Sequence, residues 1–296
     1  MTHGDYVDNI KRLDSVGQLP ERQPDAHKGD CGRVLIVAGS MGMAGAAVLS
    51  GRACLRGGAG LVTVATPKSQ QLIVACGSPC YMTIPLDEDD QGQLNQTAAD
   101  RVALEASSRN VVVVGPGCGK PPSLKHLVCN LLATHSGELV IDADALNVLT
   151  PDLLGTHHSS SRIVITPHPG EFARLTGTDI PTVQANREEL AIRLARQTGV
   201  VVLLKGHRTI VTDGSCVYVN TTGNPGMATG GSGDVLSGFL GALLAQGMPA
   251  LDAAILGAFL HGLAGDIASK DFTPMGLIAS DLVDYLPAAC ARHSAC

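Results

Sequence analysis

The chain has no tryptophan, and phenylalanine and tyrosine number four each among 296 residues. Large aromatic anchors cannot dominate such a core, so close packing falls to small side chains and 35 glycines. Long apolar runs are missing too. The most apolar region, 235–265, is interrupted by Gln246, Pro249, Asp252 and His261, which suits soluble helices better than a membrane span. The N-terminus, MTHGDYVDN, lacks the apolar centre of a targeting segment. None of the nine cysteines forms a CxxC pair, and their number is odd. That argues against a disulfide scaffold and for reduced thiols in a cytoplasmic setting. Cys54, Cys76 and Cys129 lie in apolar runs and read as small buried hydrophobes; the terminal Cys296 reads as the reactive thiol. Positive charge is in deficit. A formal net charge of −6 gives no reason to expect a nucleic-acid partner, though it leaves room for a local basic pocket. The acidic run Asp87–Asp90 reads as a solvated loop, as does His157-His158 beside Ser159–Ser161.

What the chain does contain is a series of short apolar stretches. Strands are expected over 33–38, 61–66, 111–115, 139–142, 162–166 and 200–204. None alternates cleanly, the pattern of a parallel sheet covered on both faces. Helices are expected between them, over 43–57, 123–134 and 182–197. Asp213-Gly214 joins Arg208–Thr212 to Cys216–Asn220 as a hairpin. From 228 onward the chain turns helical, with segments 228–246, 250–268 and 280–292. The fold class is therefore α/β, built from crossovers. We expect a single domain over 1–296, with 1–30 a polar N-terminal arm or edge element.

The stretch from Asn224 to Gly238, NPGMATGGSGDVLSG, carries the most chemical information. Gly226, Gly230, Gly231 and Gly233 precede Asp234 and then an apolar helix. Glycines let successive N–H groups converge, and the helix start adds its own unpaired N–H groups. Phosphate or a developing oxyanion suits such a cradle. Asp234 would repel phosphate if it acted alone, so it is a helix-start acid, a general base beside the anion site, or a group acting through a metal. The Lys and Ser/Thr of a Walker loop are absent after these glycines. A second glycine turn, Gly39–Gly45, lacks GxGxxG spacing, and no ribose-binding acid ends the next strand, which weighs against a dehydrogenase.

Other polar residues follow the strands. Gly115–Gly119, Asp142–Asn147, Thr166–Glu171 and Lys205–Arg208 each come directly after an apolar stretch. In an open parallel sheet such strand ends meet at one crevice. Turn residues must follow strands in any fold, so no single cluster is decisive. Asp142, Asp144 and Asn147 read as an internal hydrogen-bond cluster, and Glu171 as an early-helix acid.

The segments GRVLIVAGSMGMAGAAVLSGRACLRGGAGLVTVATP, VVVGPGCG, VIDADALN, ITPHPGEFARL, VVLLKGHRTIV and NPGMATGGSGDVLSGFLGALLAQG together resemble the ADP/ATP-dependent NAD(P)H-hydrate dehydratase family. The resemblance implies a ribokinase-like fold, a central mostly parallel sheet with helices on both faces. It implies repair of the S epimer of hydrated NADH or NADPH, with ADP as phosphoryl donor in bacterial members and ATP in eukaryotic ones. Mg2+ and a homotetramer are implied as well. An epimerase is expected on a separate polypeptide, since little chain precedes residue 31. By the same resemblance, Ala46, Gly117, Gly119, His168 and Asp234 bind the hydrate, with Asp234 also the base. Lys205, Gly206, His207, Arg208, Thr209, Gly230, Gly231 and Gly233 bind the nucleotide. No metal ligand is assigned. A ribokinase-like small-molecule kinase would use the same base and anion loop, and a regulator without turnover would bind nucleotide only.

Overall fold

The computed structural model describes residues 10–158 and 162–295. Its elements run β1 (Lys11–Leu13), β2 (Arg33–Val37), α1 (Ala44–Arg56), β3 (Leu61–Pro67), α2 (Lys68–Gly77), β4 (Met82–Leu86), α3 (Gln96–Ala106) and β5 (Val111–Val114). Next come α4 (Pro122–Thr134), β6 (Glu138–Ile141), α5 (Pro151–Leu154), β7 (Ile163–Ile165), α6 (Pro169–Thr176), α7 (Ile180–Ala185) and α8 (Arg187–Thr198). The chain ends with β8 (Val201–Leu204), β9 (Ile210–Thr212), β10 (Cys216–Val219), α9 (Ser232–Ala245), α10 (Ala250–Gly276) and α11 (Ala279–Ser294). Short 3-10 turns cover Ala143–Val148 and Pro225–Met227.

Ten strands form one sheet in the order β1-β10-β9-β8-β7-β6-β5-β2-β3-β4. All neighbours are parallel except at β9, which runs against both β8 and β10. The side-chain period of two sorts each central strand between two cores. Val34, Ile36, Val111 and Val113 face the layer of α1, α9, α10 and α11. Leu35, Val37, Val112 and Val114 face the layer of α3, α4, α6 and α8. Burial on both faces explains why these strands read as continuous apolar runs.

The hairpin at Asp213-Gly214 forms as expected, with Gly214 at φ +88° and Asp213 Oδ1 accepting from the Ser215 and Cys216 N–H groups. The N-terminal arm supplies the edge element β1, which pairs in parallel with β10. Other expectations need correction. The helix expected over 182–197 is two helices, α7 capped by Asp179 and α8 beginning after a break at Asn186. The helix expected from 228 begins at Ser232, because the preceding glycines form the loop itself. β4, α2 and α3 were not anticipated. β4 is an edge strand with Pro85 and exposed Met82, so it lacks the buried apolar signature. Cys76 is exposed rather than buried, since α2 buries only Gln70 and Val74. Cys296 and Ser159–Ser161 lie outside the described residues. α10 is long and apolar enough to cross a membrane, but 67% of its apolar window is buried against the rest of the fold. Its Ala253, Leu256, Leu260 and Ala264 pack into the first core.

Candidate active site

The parallel strands all point their C-terminal ends the same way, so their turns meet above one edge of the sheet. α9 starts there. Gly231 caps it at φ +92°, where a Cβ would lie 2.6 Å from Leu49 and 3.0 Å from Ala279. The position needs both left-handed backbone and the absence of a side chain. Asp234 follows in the first turn. Ser50 on α1 donates from Oγ to the Asp234 carbonyl at 3.0 Å, fixing that turn against α1. Burial first, and then the Asp142 charge, push the Asp234 carboxyl up to about 7 against a smaller lowering by Lys205. An acid that loses its proton near neutrality suits a general base.

Lys205 lies beneath the same turn. A Cβ on Gly233 would be 3.2 Å from Lys205 Nζ and 3.7 Å from Asp142 Oδ2. Lys205 Nζ donates to Asp142 Oδ1 at 2.7 Å and stands 3.9 Å from Glu171 Oε2. Burial alone would lower the Lys205 ammonium, but Asp142, Glu171 and Asp234 outweigh it and raise it, so the group stays charged. Ser237, one turn along α9 from Gly233, donates to Asp142 Oδ2 at 2.5 Å.

The cluster expected at Asp142, Asp144 and Asn147 holds in part: Asn147 hydrogen-bonds the Asp144 side chain, while Asp142 turns to other partners. Asp142 faces Lys205, while Asp144 accepts from the Gly119 N–H at 2.8 Å and Asn147 accepts from Arg174. Glu171 belongs to a capping box at α6. His168 Nδ1 accepts from the Gly170 and Glu171 N–H groups at 3.0 and 3.2 Å, and Glu171 Oε2 accepts from the His168 N–H at 2.8 Å. Burial raises the Glu171 carboxyl, with Lys205 opposing. With Nδ1 accepting, Nε2 is the nitrogen left to donate, and it stands 3.4 Å from Glu171 Oε1.

His168→Ala should cost stability through the lost cap, about 0.5–2 kcal/mol. If Nε2 also donates to the hydrate, hydrate binding should weaken by a further 0.5–1.5 kcal/mol or so, with ADP binding less affected. Paired titrations of hydrate and ADP check this; equal losses would reduce His168 to a cap.

The residues expected on the hydrate side come together in part. A Cβ on Gly117 would lie 2.9 Å from the Ala46 Cβ and 3.1 Å from the Met43 carbonyl, so these backbones touch. Cys118, between Gly117 and Gly119, is buried, and its Sγ is 3.4 Å from the Val37 carbonyl. Gly119 sits outward against Gln93.

On the other side of Lys205 lies a cavity of about 730 Å³. Lys205, Gly206, His207, Arg208 and Thr209 line it together with Ser232 and Gly233. His168 lines it too, so a residue expected on the hydrate side shares a cavity with those expected on the nucleotide side. Gly230 and Gly231 are not part of its lining. The far wall comes from Asn220, Thr222 and Asn224 after β10 and from Ala258 and His261 on α10. Sequence reasoning missed this wall. The rule that polar residues after strands mark a crevice applied equally to 220–224, directly after β10. His261 carried a weaker signal, a lone histidine in an apolar helix; burial lowers it to about 4, so it is neutral.

Among the described residues, no three His, Cys, Asp or Glu side chains are grouped to hold a metal ion. Both Asp142 oxygens are already bonded, and Glu171 Oε2 serves the cap. Glu171 Oε1 stands 3.4 Å from His168 Nε2, so a Mg2+ ion here would be carried mainly by phosphates and water.

A family model described as NAD(P)H-hydrate dehydratase matches residues 34–288. The chain belongs to the NAD(P)H-hydrate dehydratase family. Its ribokinase-like sheet is the family's fold. A bifunctional NAD(P)H-hydrate repair enzyme of Moorella thermoacetica is 46% identical to this dehydratase-family chain, over 91% of the chain and 51% of the relative. The chain thus spans about half the length of that relative. An ADP-dependent (S)-NAD(P)H-hydrate dehydratase of Neisseria meningitidis is 38% identical over 88% of the chain and 86% of its own length. The crystal structure of the ADP/ATP-dependent NAD(P)H-hydrate dehydratase of Bacillus subtilis, grown with ATP and Mg2+, superposes with a TM-score of 0.81 at 29% identity. That match covers 93% of this chain and 95% of the other.

Proposed function

We propose that this chain dehydrates the S epimer of hydrated NADH or NADPH at the expense of ADP, restoring the reduced cofactor and releasing AMP and phosphate. The observation that carries the proposal is Asp234, an acid titrating at about 7. It stands in the first turn of α9, directly after Ser232 and Gly233, which line the cavity together with Lys205. Hydroxide leaves poorly, and phosphorylation of the hydroxyl removes that obstacle. Asp234 takes the hydroxyl proton as the oxygen forms its bond to the β-phosphorus of ADP, and the bridging P–O bond breaks to release AMP. The carbon–oxygen bond then breaks with its electron pair leaving on phosphate, and the adjacent carbon loses a proton to restore the double bond. Backbone N–H groups at the start of α9 and the Lys205 ammonium offset the charge in transit. Mg2+ would neutralise phosphate charge when bound, with Glu171 near enough to hold its water.

The cavity lined by Lys205–Thr209 takes the nucleotide in this reading. ADP should support faster turnover than ATP, as the name of the Neisseria relative suggests. Initial rates at equal subsaturating nucleotide and excess magnesium check this; a clear ATP preference would overturn the donor while sparing the dehydration. The bifunctional name of the Moorella relative supports functional coupling to an epimerase. The deciding assay combines the hydrated cofactor with ADP and follows recovery of reduced-nicotinamide absorbance and phosphate release. A stable phosphorylated product without that recovery would mark a kinase instead.

A further inference from the structure

Base, hydrate pocket and nucleotide cavity leave one buried charge without a task. Asp142 is 1% exposed. A carboxylate taken so far from water costs several kcal/mol unless its oxygens are paired. Here both are committed, Oδ1 to Lys205 Nζ at 2.7 Å and Oδ2 to Ser237 Oγ at 2.5 Å. The Asp142 N–H donates to the Val114 carbonyl at 3.1 Å, so its backbone is fixed at the end of the sheet. Ser237 Oγ is also 3.0 Å from the Gly233 carbonyl. Asp142 therefore holds the ammonium beneath Gly233 with one oxygen and the next turn of the same helix with the other.

We infer that Asp142 is a positioning residue for phosphoryl transfer, fixing Lys205 against the first turn of α9 where the transferred group of a nucleoside diphosphate would sit. The inference rests on the proposed reading of the site. An Asn at this position keeps the shape and a partner for Ser237 but removes the negative charge that holds the Lys205 ammonium, leaving at most a neutral acceptor in its place. The ammonium then retains Glu171, 3.9 Å away, as its nearest anion. It still attracts phosphate from there, but from the wrong place. Alignment is lost while nucleotide affinity survives.

The test is a double-mutant cycle over wild type, Asp142→Asn, Lys205→Met and the double variant, read by kcat and by titration with Mg-ADP. Asp142→Asn should lower kcat about tenfold or more with the KM for ADP within about threefold of wild type. In the Lys205→Met background it should cost kcat less than about threefold further, because the residue it positions is gone. Lys205→Met alone strands the Asp142 anion beside incoming phosphates, so adding Asp142→Asn should recover ADP binding by about threefold or more. Ser237→Ala, which leaves the charge pair intact, should lower kcat by a few-fold with little change in melting temperature, and carries the test if Asp142→Asn does not fold. Independent effects of the two substitutions in both readouts would overturn the inference, as would a KM for ADP that rises in step with the fall in kcat. A wild type that does not turn over the hydrate, with coupled ADP binding intact, would sink the dehydratase reading and leave the Asp142–Lys205 linkage standing.

Discussion

Asp234→Asn should reduce turnover by at least about a hundredfold, the range expected for loss of a general base. Nucleotide binding and folding should survive. The variant keeps the side-chain shape and the Ser50 contact, which goes to the Asp234 backbone carbonyl. The pH dependence follows from the carboxyl's position. Burial lifts it from 3.8 to about 7, so wild-type kcat/KM should fall as pH drops through that value and the base takes up its proton. Stability has the opposite sense. The folded state holds the Asp234 proton more tightly than the unfolded chain, so this group lowers stability as pH rises from its ordinary value to about 7. Asn carries no charge at any pH and escapes that loss. Asp234→Asn should therefore melt higher than wild type above neutrality and close to it in acid. Turnover at saturating hydrate and ADP, with thermal melts across pH, tests both halves. Wild-type turnover would remove Asp234 from the base role; a lower melting temperature at alkaline pH would contradict its burial as a charge.

The sheet was legible where its strands are buried on both faces. β2, β3, β5, β6, β7 and β8 stand within a residue or two of the expected positions, since unbroken runs such as Val111–Val114 have no solvent face to interrupt them. β4 was not legible, because an edge strand with exposed Met82 and Pro85 looks like a loop. The site divides in the same way. Lys205 and Asp234 stood out through local context, one ending a strand and one following glycines. The partnership that organises them did not. Asp142 is 63 residues from Lys205 and 95 from Ser237, and pairing across that distance depends on strand order. In sequence Asp142 sits beside Asp144 and Asn147, and proximity along the chain suggested one cluster, of which the Asp144–Asn147 pair forms while Asp142 turns to Lys205 and Ser237. His168 combined both cases: the resemblance marked it, yet its role as a helix cap depends on where α6 begins.

Gly238→Ala should be the most damaging single methyl in the α1–α9 packing. α1 and α9 cross closely, and a Cβ on Gly238 would lie 2.0 Å from the Ser50 carbonyl oxygen, 2.7 Å from its carbon and 2.8 Å from its Cα. These are backbone atoms, so no rotamer change relieves the clash and the helices must move apart. Overpacking of this kind costs about 1–3 kcal/mol and sometimes more. Because Ser50 also ties down the Asp234 carbonyl, the displacement reaches the base one turn away. A chain without tryptophan relies on such small-residue contacts, and a Cβ on neighbouring Gly241 would lie 2.6 Å from the Val113 side chain, a looser clash. Gly45, in the first turn of α1, is the contrast, since a Cβ there meets nothing within 4 Å. Gly45→Ala should hold or raise the melting temperature, because alanine in a helix is favoured over glycine by roughly 0.5–1 kcal/mol. Gly238→Ala should lower the melting temperature by roughly 3–10 °C and depress turnover with it. Thermal melts of both variants, with kcat measured well below the transition, decide the matter. A Gly238→Ala protein that melts and turns over like wild type would mean that α1 and α9 do not approach this closely, and the placement of Asp234 against α1 would fall with them.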